Sequence, residues 1–256
     1  MPNVKILSLN LHCLVEDNLP DKQKRIATLI DTLDVDIVVL QEVAQSLHDP
    51  IVHDLVKQDN YAYVLQQLLA SMNKTYHLIY KPFKSSFGRF DEGLAFLSKV
   101  QPDIHAYKRI SQVEDYQDWH TRYVLNCRFQ FGQKYLYIAN THFGWTDETE
   151  RFESQFDLAI QTLPTDQPSL LIGDCNITPT SAEYNHVIAS GFIDIFDTPE
   201  WTNQPTHADY IDVHKQASRI DYMFSSQPLE ITDRQIHFTD NPVSDHFAIY
   251  ISFPFN

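Results

Sequence analysis

Polar side chains that could support acid–base and metal chemistry stand at the ends of short apolar runs. Ser244-Asp245-His246 places a carboxylate beside an imidazole just before one such run. A lone triplet of this kind also fits a solvated loop, but five other runs carry similar polar clusters. These are Ser8-Leu9-Asn10, Leu40-Gln41-Glu42, Asn140-Thr141-His142, Gly173-Asp174-Cys175-Asn176 and Arg219-Ile220-Asp221-Tyr222. Six such runs indicate one site built from several strand ends.

Four of these residues are carboxylates next to predicted buried strands: Glu42, Asp174, Asp221 and Asp245. Carboxylate and amide oxygens are the hard ligands that Mg²⁺ prefers, with water and substrate phosphate completing the coordination. A single strand-end carboxylate is as often solvated or caps a turn, whereas four together favour a metal site. Zinc is disfavoured because the His and Cys residues lack CxxC or HExxH spacing.

Two histidines among the twelve, His142 and His246, stand at polar strand ends. A histidine oriented by a carboxylate can accept a proton from water near neutral pH, although packing or hydrogen bonding is the alternative role. Asn10 and Asn176 can donate hydrogen bonds to an anionic oxygen, which suits a phosphorane-like transition state. Strand alternation directs Cys175 towards the core, so we interpret it as structural.

The elements that would position these residues alternate between strand and helix. The patterns predict strands over 4–9, 36–40, 76–80, 93–100, 122–131, 134–139, 169–172, 220–224, 230–238 and 247–253, and helices over 20–33, 61–72, 147–163 and 181–190, with a polar loop over 84–92. Many of the strands are apolar on both faces. This order predicts an α/β sandwich, two sheets with helices outside, in one domain spanning residues 1–256.

Composition narrows the class of protein. The 256 residues include 34 acidic and 19 basic side chains, giving a net charge of -15, which argues against a broad basic surface for duplex nucleic acid. Three cysteines offer no disulfide framework and suit a reducing compartment. There is no signal-peptide pattern and no long apolar run. We expect a cytoplasmic monomer without membrane insertion.

The ordered set of segments, together with 92–98 (EGLAFLS), resembles the endonuclease/exonuclease/phosphatase superfamily, which has the pancreatic-deoxyribonuclease-like fold. The segments follow the order of that family and span nearly the whole chain. The resemblance implies an α/β (α+β) fold arranged as a four-layer α/β/β/α sandwich, with two packed, mainly antiparallel mixed sheets flanked by helices. It also implies Mg²⁺- or Mn²⁺-dependent hydrolysis of phosphoesters.

The resemblance also implies roles for the metal ligands and the base. Glu42 would be the principal metal ligand, and Asn10 and Asp245 would help to hold the metal. His246 would activate the attacking water, and Asp221 would orient that histidine.

Further roles concern the phosphate. Asp174 and Asn176 would position the phosphate and the nucleophile, and His142 would contact the phosphate and assist the leaving group. Glu92 aligns with a carboxylate that supports this histidine in some members. Cys175 departs from the family, which more often has a larger apolar or aromatic residue there. No motif residue is missing, so a binding protein that has lost turnover is disfavoured.

Substrate choice is expected to reside in the loops 84–91, 115–122, 144–148 and 201–218. Arg122, beside Trp119 and His120, is a candidate phosphate-binding cation, as are Lys84 and Arg89, although all could be ordinary surface. Trp145 could stack on a base or a lipid head group, or pack beneath a loop.

Three substrate classes stay open for an intracellular, metal-dependent phosphodiesterase. A nuclease would need a basic, aromatic track, which the net charge of -15 disfavours. The second class is a phospholipid, sphingomyelin or inositol-phosphate esterase. A phospholipid esterase would be expected to show an exposed apolar hairpin, and none is evident in the sequence. A nucleotide or another small soluble phosphoester is the third class.

Overall fold

The computed structural model describes residues 3–147, 149–208 and 217–255. The elements in chain order are β1 (Asn3–Asn10), α1 (Leu19–Leu33), β2 (Ile37–Ser46), β3 (Ile51–His53), β4 (Val56–Lys57), α2 (Tyr61–Ser71), β5 (His77–Ser86), β6 (Phe90–Ser98), β7 (Asp103–Arg109), β8 (Tyr123–Phe131), β9 (Lys134–His142), α3 (Phe152–Ile160), β10 (Ser169–Asp174), α4 (Ala182–Ala189), β11 (Ile193–Asp194), β12 (Asp221–Ser225), β13 (Asp233–His237) and β14 (Ala248–Pro254).

Two six-stranded mixed sheets form the centre of the fold. The first has the order β13-β14-β1-β2-β6-β5 and the second the order β11-β12-β10-β9-β8-β7. Only β1–β2 and β9–β10 pair in parallel, and the other neighbours in these sheets are antiparallel. The predicted pair of mainly antiparallel mixed sheets is therefore confirmed.

Four layers result because both faces of the central strands are apolar. Side chains of one face, such as Ile6 and Val39, join the core between the two sheets, where Phe96 and Phe129 meet edge to face at 5.5 Å. The alternate residues of the first sheet contact α1 and α2, and those of the second sheet contact α3 and α4. A strand covered on both faces has few polar positions, which explains the nearly continuous apolar runs in the sequence.

A buried amide pair joins the two sheets just beneath their polar edge. Asn140 of β9 donates through Nδ2 to the carbonyl oxygens of Leu40 (2.9 Å) and Ala95 (3.0 Å), which belong to the other sheet. Gln41 Nε2 donates in return to Asn140 Oδ1 at 2.8 Å. Since buried polar groups are costly unless bonded, this exchange fixes the relative position of the sheets at that depth.

The predicted polar loop over 84–92 is wrong. Strands β5 and β6 extend through this segment and are joined by a tight turn at Phe87 (φ 53°) and Gly88 (φ 64°). The polar character misled because Lys84, Ser86 and Glu92 are satisfied by one another instead of by solvent.

Other differences concern boundaries and edges. The third helix begins at Phe152, not at 147, because Asp147 Oδ1 accepts hydrogen bonds from the backbone N–H groups of Thr149 and Glu150 and so forms a turn. Strand β7 was not predicted; it lies at a sheet edge, and its exposed side chains hide the pattern. Glu148, within the predicted helix and specificity loop, and residues 209–216 of another specificity loop lie outside the described residues.

An exposed apolar hairpin that the sequence did not reveal is formed by β3 and β4. Ile51, Val52 and Leu55 expose much of their side chains there. In the described ranges, no helix is both long and apolar enough to cross a membrane.

Candidate active site

The predicted polar residues meet at one edge of the sandwich. A pocket of about 440 Å³ opens there between the ends of the two sheets. Eight of the predicted site residues line it: Glu42, Glu92, Arg122, His142, Asp174, Asn176, Asp245 and His246. Asn10 and Asp221 hydrogen-bond to members of this group from beneath. The structure thus brings together residues that are up to 236 positions apart, from Asn10 to His246.

Glu42 reaches the pocket because its strand is distorted. The pairing of β2 with β6 shifts register between Leu40 and Val43, and Glu42 has a φ of 47° in the left-handed region. A bulge of this kind re-aims a side chain that regular alternation would place elsewhere. The Asn10 side chain then donates through Nδ2 to Glu42 Oε1 and to Asp174 Oδ2, both at 3.0 Å, and so holds the two carboxylates together.

The turn after β10 presents Asp174 and Asn176. Gly173 precedes it with a φ of 145°, and a Cβ at this position would lie 1.9 Å from the carbonyl oxygen of Thr141. Asn176 has a φ of 53°; its backbone N–H donates to Asp174 Oδ1 at 3.0 Å and its Nδ2 to the carbonyl of Phe143 at 2.8 Å. Only glycine fits at 173, which fixes where both polar side chains emerge.

His246 and Asp221 form a buried dyad. The Nδ1 atom of His246 lies 2.9 Å from Asp221 Oδ2, and its Nε2 lies 3.5 Å from Asp174 Oδ2. Burial lowers the pKa of the His246 imidazole, but the charges of Asp221 and Asp174 outweigh burial and raise this pKa to about 10. The dyad has the arrangement of a base that is oriented by a carboxylate.

The carboxylates of the pocket lie close together, and the positive groups of the site do not neutralise all of their negative charge. Burial raises the pKa of Asp174 to about 7; the charge of His246 opposes this, and the charges of Asp221 and Glu42 add to it. Burial and the charge of Glu92 also raise the pKa of Glu42. Such a cluster is stabilised by an added cation.

His142 has the opposite electrostatic environment to His246. Burial, followed by the charges of Arg122 and Lys84, lowers its pKa well below the usual value, so its imidazole is neutral. Its Nδ1 is buried without a hydrogen-bond partner and lies 3.9 Å from Glu92 Oε1, while its Nε2 lies 3.5 Å from Asp174 Oδ2. One ring nitrogen is therefore available to a ligand or to a carboxylate that moves closer.

Glu92 and the predicted cations form a second group beside His142. Lys84 Nζ lies 3.1 Å from Glu92 Oε1, the Ser86 hydroxyl donates to Glu92 Oε2, and both residues line the pocket. Burial raises the pKa of Glu92, but Lys84 and Ser86 outweigh it, so the carboxylate stays charged. Arg89 lies instead over the ring of Phe90, 4.7 Å from its centroid.

Arg122 also lines the pocket, and it is buried. Its Nη1 donates to the backbone carbonyls of Trp119 and Thr121, and its Nε has no hydrogen-bond partner. It can add positive potential to the site.

Two histidines of the pocket, His12 and His207, were not predicted from the sequence. His12 Nδ1 lies 2.6 Å from Glu16 Oε1 and 3.5 Å from Asp245 Oδ1. His207 Nε2 lies 3.8 Å from Asp245 Oδ2, and its ring centroid is 4.7 Å from that of His246. His12 could have been predicted, because it stands two residues after Asn10. His207 could not, because it is held at the site by isolated β-bridges with Ser218 and His246, which have no sequence pattern.

The donor set suits a hard divalent cation. Within the described residues, one group with donor atoms within 4.8 Å of one another is Glu42, His142 and Asp174, and another is His207, Asp245 and His246. Oxygen donors, the orphaned Nδ1 of His142 and the raised pKa of Asp174 fit a site that receives positive charge.

Comparisons with known proteins find the same fold in several solved structures. The fold matches an endonuclease/exonuclease/phosphatase family protein from Leptotrichia buccalis C-1013-b (TM-score 0.88, 23% identity, 98% of this chain and 100% of that chain). It also matches the human Nocturnin catalytic domain with bound sulfate anion (TM-score 0.71, 19% identity, 100% and 94%) and D. rerio TDP2 complexed with a single-strand DNA product (TM-score 0.69, 20% identity, 99% and 99%). No curated protein matches significantly.

A sequence profile of the Endonuclease/Exonuclease/phosphatase family matches residues 7–246, from the first strand to the histidine of the dyad. Members of this family are typically phosphoester hydrolases and generally use divalent metals. With the fold and the matched length in agreement, the chain belongs to the endonuclease/exonuclease/phosphatase family.

Proposed function

We propose that this protein is a phosphodiesterase that depends on Mg²⁺ or Mn²⁺. The observation that carries the proposal is the Asp221–His246 dyad, whose outer nitrogen lies 3.5 Å from Asp174 in a pocket that also contains Glu42. This arrangement supplies a proton acceptor, an orienting carboxylate and a place for positive charge within one cavity.

Glu42 would be the principal ligand of the metal, with Asp245 as the second. Asn10 supports this site through its amide nitrogen, because its Oδ1 accepts a hydrogen bond from the backbone N–H of His12 (3.0 Å). When bound, the divalent cation neutralises charge on the phosphate and on the carboxylates that raise the pKa of His246.

His246 removes the proton from the attacking water through Nε2, and Asp221 stabilises the imidazolium that forms. Asp174 lies beside this nitrogen and orients the water for in-line attack on phosphorus. The neutral His142 and Asn176 contact the phosphate oxygens, and His142 lies where it can assist the departing oxygen.

Phosphodiesters are the substrate class that the relatives favour. One has been seen with a single-strand DNA product and another with a sulfate anion, so an anionic phosphorus group suits this fold. A phospholipid esterase is the second candidate, and the exposed apolar side chains of the β3–β4 hairpin are the observation in its favour.

We also propose that residues 1–256 form a single catalytic domain. Strand β1, which begins at Asn3, pairs along its length with β14, which ends at Pro254. The two ends of the described chain therefore complete one sheet.

The test is hydrolysis of a panel of single- and double-stranded DNA, RNA, inositol phosphates and sphingomyelin micelles, with Mg²⁺ and with EDTA. His246→Ala is expected to lower turnover by about 10²- to 10⁴-fold, the usual contribution of a general base. His105→Ala is the matched control, because His105 is exposed on an edge strand. A folded His246→Ala protein with normal activity would refute the mechanism.

A further inference from the structure

Three large aromatic side chains stand exposed around the candidate active site. Phe87 is 63% exposed, and Trp119 and Trp145 are each 52% exposed, yet all three line the same pocket as Glu42 and His246. They come from three separate loops. Exposed aromatic groups gathered at one cavity favour a binding surface over core packing.

The two tryptophan loops are tied to each other. The ring of His120 lies on that of Trp119 at 3.7 Å between centroids. The same imidazole contacts Asp118 Oδ1 through Nδ1 (2.7 Å) and Asp147 Oδ2 through Nε2 (3.0 Å). Asp118 belongs to the Trp119 loop and Asp147 to the Trp145 loop, so His120 holds both indoles at the same side of the pocket.

Phe87 is displayed by an unfavourable backbone conformation. It occupies the first central position of the β5–β6 turn with a φ of 53°, where Asn or Gly is usual and a bulky residue is uncommon. An aromatic side chain at such a position is neither buried nor required by the turn. Its presence is consistent with a role towards the pocket.

The pocket offers few positively charged groups that could bind the phosphates of a long polyanion. In the described part of the chain, the lysine and arginine side chains that line the pocket are Lys84 and Arg122. Both are buried; Lys84 is paired with Glu92, and Arg122 donates to backbone carbonyls. The pocket volume of about 440 Å³ lies in the lower part of the range for small-ligand sites, roughly 300–1,000 Å³.

We propose that the substrate is a small phosphodiester in which one ester group carries a planar aromatic ring, and that this ring stacks on the surface formed by Phe87, Trp119 and Trp145. The proposal rests on the proposed function and adds the substrate class. A nucleobase and an aryl leaving group share this chemistry. Stacking tolerates any planar ring, so these side chains select for aromaticity and not for one particular base.

Binding can be measured without turnover, because the chain has three tryptophans, Trp119, Trp145 and Trp201, and only the first two line the pocket. Fluorescence titrations would compare thymidine 5′-monophosphate with 2-deoxyribose 5-phosphate, and phenyl phosphate with methyl phosphate. The first pair isolates a nucleobase and the second an aryl group. In at least one pair, we expect the aromatic member to quench fluorescence and to bind about 5- to 140-fold more tightly.

Tryptophan variants test whether the two pocket indoles cause the preference for aromatic ligands. Trp119→Leu or Trp145→Leu should reduce this preference at least about 5-fold. Trp119→Phe, which keeps a ring, should retain most of it. Trp201→Phe is the control, because Trp201 packs on Phe196 outside the pocket, and it should preserve both quenching and preference. Equal affinity within both pairs, or a preference unchanged in both leucine variants, would overturn the proposal.

Turnover separates this proposal from the proposed function. The p-nitrophenyl ester of methyl phosphate would be compared with the same ester of thymidine 5′-phosphate and its abasic counterpart. Hydrolysis that needs Mg²⁺ and His246 but shows equal KM for the nucleoside and abasic esters, without aromatic preference in binding, would overturn the aromatic surface and leave the phosphodiesterase standing. Aromatic preference in binding without any hydrolysis would support the surface and refute the phosphodiesterase.

Discussion

His142 and His246 lie near the same carboxylate and yet differ in charge. Both approach Asp174 Oδ2 at 3.5 Å, but His246 also contacts Asp221, whereas His142 faces the positive charges of Arg122 and Lys84. Their surroundings move the two pKa values in opposite directions. One pocket therefore holds a charged and a neutral imidazole side by side, and the proposed base role of His246 requires bound positive charge to lower its pKa.

Proton competition is expected to govern metal binding. Below about pH 7, Asp174 is protonated in the metal-free protein, because its pKa is raised to about 7. A cation bound nearby at Glu42 favours the ionised form of Asp174, so this proton is released on binding and the affinity for Mn²⁺ should fall as pH is lowered from about 8 to about 6. Calorimetry in buffers of different ionisation enthalpy should show proton release near neutral pH. Asp174→Asn should flatten the dependence; a constant Kd in the wild type would contradict the assignment.

Substitution of Asn10 tests whether the neighbouring carboxylates of Glu42 and Asp174 are stabilised by a bound cation. Asn10→Asp removes two donors and adds a negative charge beside Glu42 and Asp174, so the metal-free protein should lose about 1–3 kcal/mol of unfolding free energy. Mg²⁺ should raise its Tm more than that of Asn10→Ala, which loses the donors without gaining charge. Equal Tm shifts in the two variants would argue against a metal bound at Glu42, next to position 10.

Among individual residues, the sequence predicted those members of the candidate site that stand at the ends of strands, and it did not predict the others. The meeting of Glu42, Asp174 and His246 was predictable, because several apolar runs carry polar clusters at their ends, although any one of these clusters alone also fits an ordinary turn. His207 was not predictable, because its contact with His246 is an isolated β-bridge between distant segments, and no local sequence pattern predicts such a bridge.

The elements position the site through departures from regular geometry. The β2 bulge turns Glu42 towards the pocket, and the Gly173 turn places Asp174 against the ends of β1 and β9. Regular strands alone would separate these groups.

Gly173→Ala should be severely destabilising. The added Cβ would lie 1.9 Å from the Thr141 carbonyl oxygen, so the strand must move, with an expected loss of more than about 3 kcal/mol or insoluble protein. Gly132→Ala is the matched control. It also has a positive φ, but no atom lies within 4 Å of its Cβ, and it should cost only about 1–2 kcal/mol. Urea unfolding measures both, and similar losses would show that the close approach is tolerated.

Element prediction succeeded for the central strands and failed at 84–92 and at β7. Apolar runs covered on both faces are unmistakable. Lys84 and Glu92 read as loop residues because pairing between two strand ends cannot be seen from either strand alone. The edge strand β7 hides its pattern because solvent permits any residue there.

The whole molecule depends on how the two sheets face each other, since each contributes part of the site. Asn10 comes from one sheet and Asp174 from the other, and they meet at 3.0 Å. The order of the motifs along the chain predicted the sandwich, but the buried contacts of Asn140 with Gln41, Leu40 and Ala95 required the structure.

Asn140→Leu should loosen the two sheets. It removes the acceptor of the 2.8 Å hydrogen bond from Gln41, which keeps only its long contacts with Ser8, and it removes the donor to two interior carbonyl groups. The expected loss in unfolding free energy is about 3 kcal/mol. Activity should fall as well, because Gln41 precedes Glu42. Asn203→Leu, at an exposed position, is the control and should be near neutral. Unfolding curves that superimpose for the two variants would show that the sheets are held without this contact.

The backbone at Glu42 has a consequence for the history of such proteins. A glutamate with a φ of 47° costs about 1 kcal/mol relative to a residue that accepts this conformation, such as glycine. A lineage released from the need for the proposed catalysis could therefore gain stability by the very substitution that removes the proposed principal metal ligand. Selection for stability alone would replace the glutamate early, so its presence is what the proposed metal-dependent activity predicts.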